Sequence, residues 1–174
     1  MSADRPAVEV RRIRADEGLR LRELRLHALG NAPLAFGSSL AREEAFPEST
    51  WHERATVGAS GSDRATFIAE DGGRWVGMAT GVAHHPDGDD RSPMLISMFV
   101  DPSQRGRGVG AALVERVTAW VRMLGAERLF LWATSTNRPA IALYERCGFA
   151  PTGDTRPLDH TPSLHEVLMV RQLR

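Results

Sequence analysis

The sequence predicts an α/β fold: one domain built on a mixed, mostly antiparallel sheet with helices on its faces. Three observations carry this reading. Short β-type runs and amphipathic stretches follow one another in the order β-α-α-β-β-β-α-β-α-β-β. A chain of 174 residues holds one real core and is short for two. No repeat or linker-like segment divides it, so the domain is expected to cover residues 1–174.

Ala7 to Arg14 alternates as a strand, with Val8, Val10 and Ile13 as its apolar members. Asp16 is placed as the cap of a helix carrying Leu19, Leu21, Leu24, Leu26 and Ala28, with Gly30 and Asn31 as its stop. An irregular apolar stretch from Ala32 to Ser39 follows, holding Pro33, Phe36 and Gly37. The second helix is expected from near Pro47, where proline suits a first turn and Glu48 complements the positive helix end. It carries Trp51 and Ala55 and breaks between Gly58 and Gly61. Ala65–Glu70, the turn Asp71-Gly72-Gly73 and Trp75–Ala83 read as a hairpin.

Pro86 to Pro93 is a polar loop, and Met94 to Val100 is an apolar strand. From Ala111 to Leu124, residues Leu113, Val114, Val117, Trp120, Val121 and Leu124 mark one broad helical face. Leu129–Ala133 is a strand, Pro139–Cys147 a helix stopped by Gly148, and Phe149 opens another strand. A loop over Pro157–Pro162 leads to the closing strand, Glu166–Leu173.

Composition removes several functions. Apolar residues make up 42% and charged residues 25%, which excludes global disorder. Twenty-two basic residues balance twenty-two acidic ones, so no nucleic-acid partner is expected. Every basic residue of that set is arginine, which excludes a lysine Schiff base, a lysine general base and a Walker-type lysine. The single cysteine, Cys147, forms neither an internal disulfide nor a cysteine-cage metal site, and no metal is expected. No apolar run reaches the ~18–20 residues of a membrane span, and the expected location is cytoplasmic, away from any membrane.

The chemistry concentrates in Met98-Phe99-Val100-Asp101-Pro102-Ser103-Gln104-Arg105-Gly106-Arg107-Gly108-Val109-Gly110. An apolar strand ends, and three glycines at alternate positions lead into an amphipathic helix. Glycines let backbone N–H groups form a concave nest, and the first helical turn adds unpaired N–H groups and the positive dipole end. Together they suit a phosphate or pyrophosphate, which Arg105 and Arg107 can steer or clamp. Gly106-x-Gly108-x-x-Ala111, with Glu127 beyond it, also fits the dinucleotide fingerprint. Its place after an antiparallel hairpin and its arginine pair weigh against that fit.

Gln104-Arg105-Gly106-Arg107-Gly108-Val109-Gly110 resembles the acyl-CoA-binding motif of the GNAT superfamily of N-acetyltransferases. Asn137-Arg138-Pro139-Ala140-Ile141-Ala142-Leu143-Tyr144-Glu145-Arg146-Cys147-Gly148-Phe149 is similar to that family's downstream Asn-x-x-Ala-x-x-x-Tyr-x-x-x-Gly-Phe stretch. The resemblance implies a GNAT-like sheet splayed where Met94–Val100 and Leu129–Thr134 diverge, with acetyl-CoA as co-substrate. It implies that the amides of Arg105, Gly106, Arg107, Gly108, Val109 and Gly110 hold the pyrophosphate. It further implies that Phe99 and Val100 pair with the pantetheine arm, and that Asn137 contacts the pantetheine or ribose region. Tyr144, the chain's only tyrosine, falls on the family's general-acid position, where a phenol with pKa near ~10 protonates the leaving thiolate.

The implied reaction is direct attack of an amine on the thioester in a ternary complex, with Cys147 a packing residue. The expected acceptor is a primary amine of a small molecule. Protein N-termini or lysines are the alternative, as is a non-catalytic acyl-CoA-binding module. In similar proteins the region between the first two helices lines the acceptor pocket, which names Phe36, Glu43 and Glu44. The acidity of Glu43 and Glu44 suits a cationic acceptor. His84-His85 are further base candidates, and Asp159, His160 and Ser163 lie in the last loop, which in related enzymes shapes acceptor choice; adjacent strand residues point to opposite faces, so the histidine pair does not share one ion. Among similar proteins dimers are common, which leaves room for a homodimer.

Overall fold

The computed structural model describes residues 7–84 and 91–174. Its strands are β1 (Glu9–Arg12), β2 (Arg64–Asp71), β3 (Arg74–Val82), β4 (Met94–Val100), β5 (Arg128–Thr134), β6 (Ala150–Leu158) and β7 (Thr161–Gln172). Its helices are α1 (Gly18–Asn31), α2 (Leu40–Glu44), α3 (Glu48–Ser60), α4 (Val109–Met123) and α5 (Arg138–Arg146), with a short 3-10 turn over Pro102–Gln104. One seven-stranded sheet runs β1-β2-β3-β4-β5-β7-β6. Every pairing is antiparallel except β4 with β5.

The two faces of the sheet bury different helices. One face packs Leu113, Val114, Val117 and Val121 of α4 on Ala65, Val76, Leu129 and Leu131. The other packs Leu21, Leu24 and Ala28 of α1 and Trp51 and Ala55 of α3 on Ile68, Met78 and Phe99. At the rim of that second face Val82, Met94, Phe130 and Leu168 form a smaller cluster with Trp132 against it. Strand alternation decides which side chains reach which helix.

Several local expectations change. Asp16 does not cap α1: Glu17 holds that place without a capping bond, because its carboxylate is taken by Arg11 and Arg14 at 2.7 and 2.9 Å. Of the two residues expected to stop α1, Gly30 lies inside the helix and Asn31 is its last residue. By contrast α3 ends at Ser60, inside the break expected between Gly58 and Gly61, after running through Gly58. There the missing side chain lets the helix lie on β2, since a Cβ on Gly58 would stand 2.8 Å from the Thr66 hydroxyl. The loop expected over Pro157–Pro162 is a tight turn instead, and β7 starts at Thr161 to pair with β6. Most of the polar loop expected before Pro93 lies outside the described residues, as does His85.

Gly81 marks a second close approach. A Cβ there would meet the Trp120 ring at 2.8 and 2.9 Å, and a buried indole has little room to give. Gly81→Ala is therefore expected to lower stability by about 1–3 kcal/mol, read as a fall in Tm.

Candidate active site

The sheet opens at β4 and β5. These parallel strands share one ladder pair, Met94↔Phe130, and then separate toward their C-terminal ends. The cause lies in β4. Between Met78↔Phe99 and Thr80↔Ile96, two steps along β3 match three along β4, so β4 carries a bulge. Ser97 sits in it at φ 55°, a left-handed conformation for a non-glycine residue. Arg25 Nη1 donates to the Ser97 hydroxyl at 3.4 Å.

The extra residue resets the alternation of the strand. Before it, Leu95 faces α4, while Met94 and Ile96 face the other way. After it, Met98 and Val100 face α4 and Phe99 faces α1. The amides are reset with the side chains. Asp101 N–H donates to the Val76 carbonyl of β3 at 2.8 Å. Alternation then turns the Phe99 amide toward β3 as well and aims those of Met98 and Val100 into the opening. Phe99 thus stands apart from its expected pantetheine contact, for its amide belongs to the β3 ladder.

At the end of β4 the chain forms the glycine bend. Gly106 and Gly108 have φ 74° and 79°, and no atom lies within 4 Å of where a Cβ would stand on either. They leave an open, concave run of N–H groups ending at the first turn of α4. Val109 is buried and ties the bend to the core. Gly110 has a different reason: a Cβ would meet Leu143 of α5 at 2.8 Å, so it lets α4 and α5 approach. Arg105 Nε donates to the Val100 carbonyl at 3.2 Å. Arg107 is shared between Asp71 at 3.4 Å and the Gln104 carboxamide.

The opening itself is a cleft of about 230 Å³. Its lining includes Arg25, Phe36, Ser97, Trp132, Tyr144, Arg156 and Glu166. Tyr144 lies on α5, 6% exposed, edge-on to Phe149 at 5.9 Å. Burial and the neighbouring Cys147 push its phenol well above the usual range, which keeps it protonated. Among the described residues its hydroxyl has no hydrogen-bond partner. Asn137 caps α5, its side-chain oxygen accepting from Ala140 N–H at 3.3 Å. Cys147 is buried beside them, and burial pushes its thiol up, away from the thiolate an acyl carrier requires.

The acceptor-side expectations divide. Phe36 lines the cleft under the Arg25 guanidinium, 4.6 Å from its ring centre. Glu43 does not line it: it is 1% exposed and held by Arg25 at 2.8 Å and Arg54 at 3.2 Å. Glu44 is exposed and also outside the lining. His160, Asp159 and Ser163 do not line it either, although His160 Nε2–H donates to the Phe36 carbonyl at 2.6 Å. His84 is exposed at the end of β3, away from the lining.

Sequence reasoning missed Glu166, Arg156 and Trp132. Arg156 Nε donates to Glu166 Oε2 at 2.7 Å, and its guanidinium lies 4.3 Å from the Trp132 ring centre. One signal for Glu166 exists in the sequence: it shares the alternation of Leu168 and Val170, a carboxylate in line with apolar positions.

Comparison with known proteins agrees with this architecture. Residues 27–149 match the family model "Acetyltransferase (GNAT) family". Mycothiol acetyltransferase of Geodermatophilus obscurus is 36% identical over 86 residues, 48% of this chain but 28% of that protein, so the chain spans well under a third of that relative. The acetyltransferase of the GNAT family from Streptococcus pneumoniae superposes with a TM-score of 0.80 over 97% of this chain and 100% of its own, at 17% identity. YncA of Salmonella typhimurium, solved with its cofactor acetyl-CoA, superposes with a TM-score of 0.74 over 97% and 95%, at 20% identity. The chain belongs to the acetyltransferase (GNAT) family.

Proposed function

We propose that this protein transfers the acetyl group of acetyl-CoA to a primary amine of a small molecule, by direct attack in a ternary complex. The observation that carries the reading is the juxtaposition of an open glycine bend with a splayed strand pair. The bend offers N–H groups from Arg105 to Gly110 and a helix N-terminus for a diphosphate. The splay leaves the Val100 and Met98 amides directed at the gap, where an extended pantetheine arm pairs like a strand and a thioester carbonyl finds a fixed donor. Tyr144 lines the same gap as a buried, protonated phenol, suited to give its proton to the departing sulfur. Asn137 keeps its amide nitrogen for the pantetheine or ribose while its oxygen caps α5.

The test is acetyl-CoA binding by calorimetry, followed by release of free thiol across a panel of amines. Gly108→Val places a β-branched residue at φ 79° and fills the open side of the bend. The strain alone is about 1–3 kcal/mol. Acetyl-CoA affinity is expected to fall roughly tenfold or more, on the same scale. A variant that binds as tightly as the parent would move the diphosphate elsewhere.

A further inference from the structure

Among the described residues the cleft lining holds one carboxylate, Glu166, and no histidine; the chain has no lysine at all. Glu166 is 7% exposed. Its Oε2 accepts from Arg156 Nε at 2.7 Å, and Arg156 is steadied by the Trp132 ring at 4.3 Å. Its Oε1 has no hydrogen-bond partner among the described residues, and it is not one of the fully enclosed, unpaired polar atoms. An oxygen so placed faces the cleft with its acceptor capacity intact.

The position matters as much as the chemistry. Glu166 is paired with Thr134 across β5 and β7, in phase with Leu168 and Trp132 on the face of α1 and α3. Tyr144 packs with α4 on the other face. The carboxylate and the phenol therefore approach the opening from opposite sides of the sheet. Both guanidiniums in the lining are matched, Arg156 by Glu166 and Arg25 by Glu43 at 2.8 and 3.0 Å. Phe36, Met94, Ile96 and Trp132 make much of the remaining wall apolar.

We propose that Glu166 binds the acceptor's ammonium group through Oε1 and removes its proton, and that the acceptor is a primary amine on a compact apolar or aromatic stem. This rests on the acetyl-transfer reading above. Glu166 takes one proton from the ammonium ion and releases it to solvent. The freed lone pair forms the N–C bond to the thioester carbon as the C–S bond breaks. The CoA sulfur takes the Tyr144 proton, and the second proton shed by the nitrogen returns to the phenolate. The sum is amide, CoA thiol and one released proton.

Two acceptors of nearly equal shape test it: phenethylamine, protonated at pH 7, and O-benzylhydroxylamine, neutral there. Glu166→Gln is expected to lower kcat/KM for phenethylamine roughly 100-fold, the scale of general-base catalysis. The loss for O-benzylhydroxylamine is expected to stay within a few-fold, because no proton need be removed before attack. Acetyl-CoA affinity is expected to be unchanged. Equal losses for the two amines would make Glu166 a structural residue and overturn the proposal, as would no loss. If the amide does not fold, Glu166→Asp, which withdraws the carboxylate by one methylene, must show the same split. A parent enzyme that binds acetyl-CoA but acetylates neither compound overturns this acceptor class alone. A parent that does not bind acetyl-CoA overturns the acetyl-transfer reading beneath it.

Discussion

Glu43→Ala is expected to destabilise the domain by about 3–5 kcal/mol, the cost of leaving a buried charge without its partner. Glu43 is almost wholly enclosed, and Arg25, which grips both of its oxygens, is itself 9% exposed. Removing the carboxylate strands that guanidinium between Phe36 and the Ser97 bulge. For a chain of this size the loss corresponds to a fall in Tm of roughly 6–20 °C. Burial opposes the charge on Glu43, but hydrogen bonds from Arg25 and Ser38 and the charges of Arg25 and Arg54 outweigh it and hold the carboxyl below its ordinary value.

A depressed carboxyl stabilises the fold above its unfolded-state pKa, and that contribution is lost as pH falls through the folded one. Glu17 behaves alike: burial raises it, yet Arg11 and Arg14 bring it down to about 2. Tm is thus expected to decline on acidification from near 4.5, the unperturbed value, toward about 2. Glu43→Ala is expected to flatten part of that slope. A variant with parental Tm and a raised KM would instead return Glu43 to the acceptor site.

Tyr144→Phe is expected to lower kcat by roughly tenfold or more, the lower range of a lost general acid with the thiolate still able to depart unaided. The ring and its edge-on contact with Phe149 at 5.9 Å remain, so Tm and acetyl-CoA affinity are expected to change little. Because burial pushes the phenol up, its proton stays in place throughout the usual assay range. No alkaline loss of kcat below about pH 10 is expected from this residue. Unchanged turnover in the variant would take Tyr144 out of the reaction.

What the sequence makes legible here is local. Gly106, Gly108 and the stripe on α4 are read from neighbours a few residues apart, because turn and helix signals act over that range. The bulge is not read so easily. Ser97 is a single polar residue in an apolar run, and its effect, moving Phe99 from the gap to the β3 ladder, depends on pairing with residues some twenty positions earlier. For the same reason Glu43, expected at the cleft, is buried away from it, and Glu166, given no role by the sequence, lines it. Glu43 looks like a solvated helix residue until α1 packs against it, and Glu166 meets Arg156 and Trp132 only when β6, β7 and β5 align. Long-range pairing, not local propensity, settles which carboxylate reaches the cleft.

The loop between α1 and α2 is fastened through its main chain. Thr134 Oγ1 donates to the Leu34 carbonyl at 2.5 Å, and His160 donates to that of Phe36. Both anchors grip peptide oxygens that any residue at those positions supplies. Side chains along this wall can thus be exchanged without loosening its attachment, so the cleft lining can be varied by point substitution while the loop keeps its place.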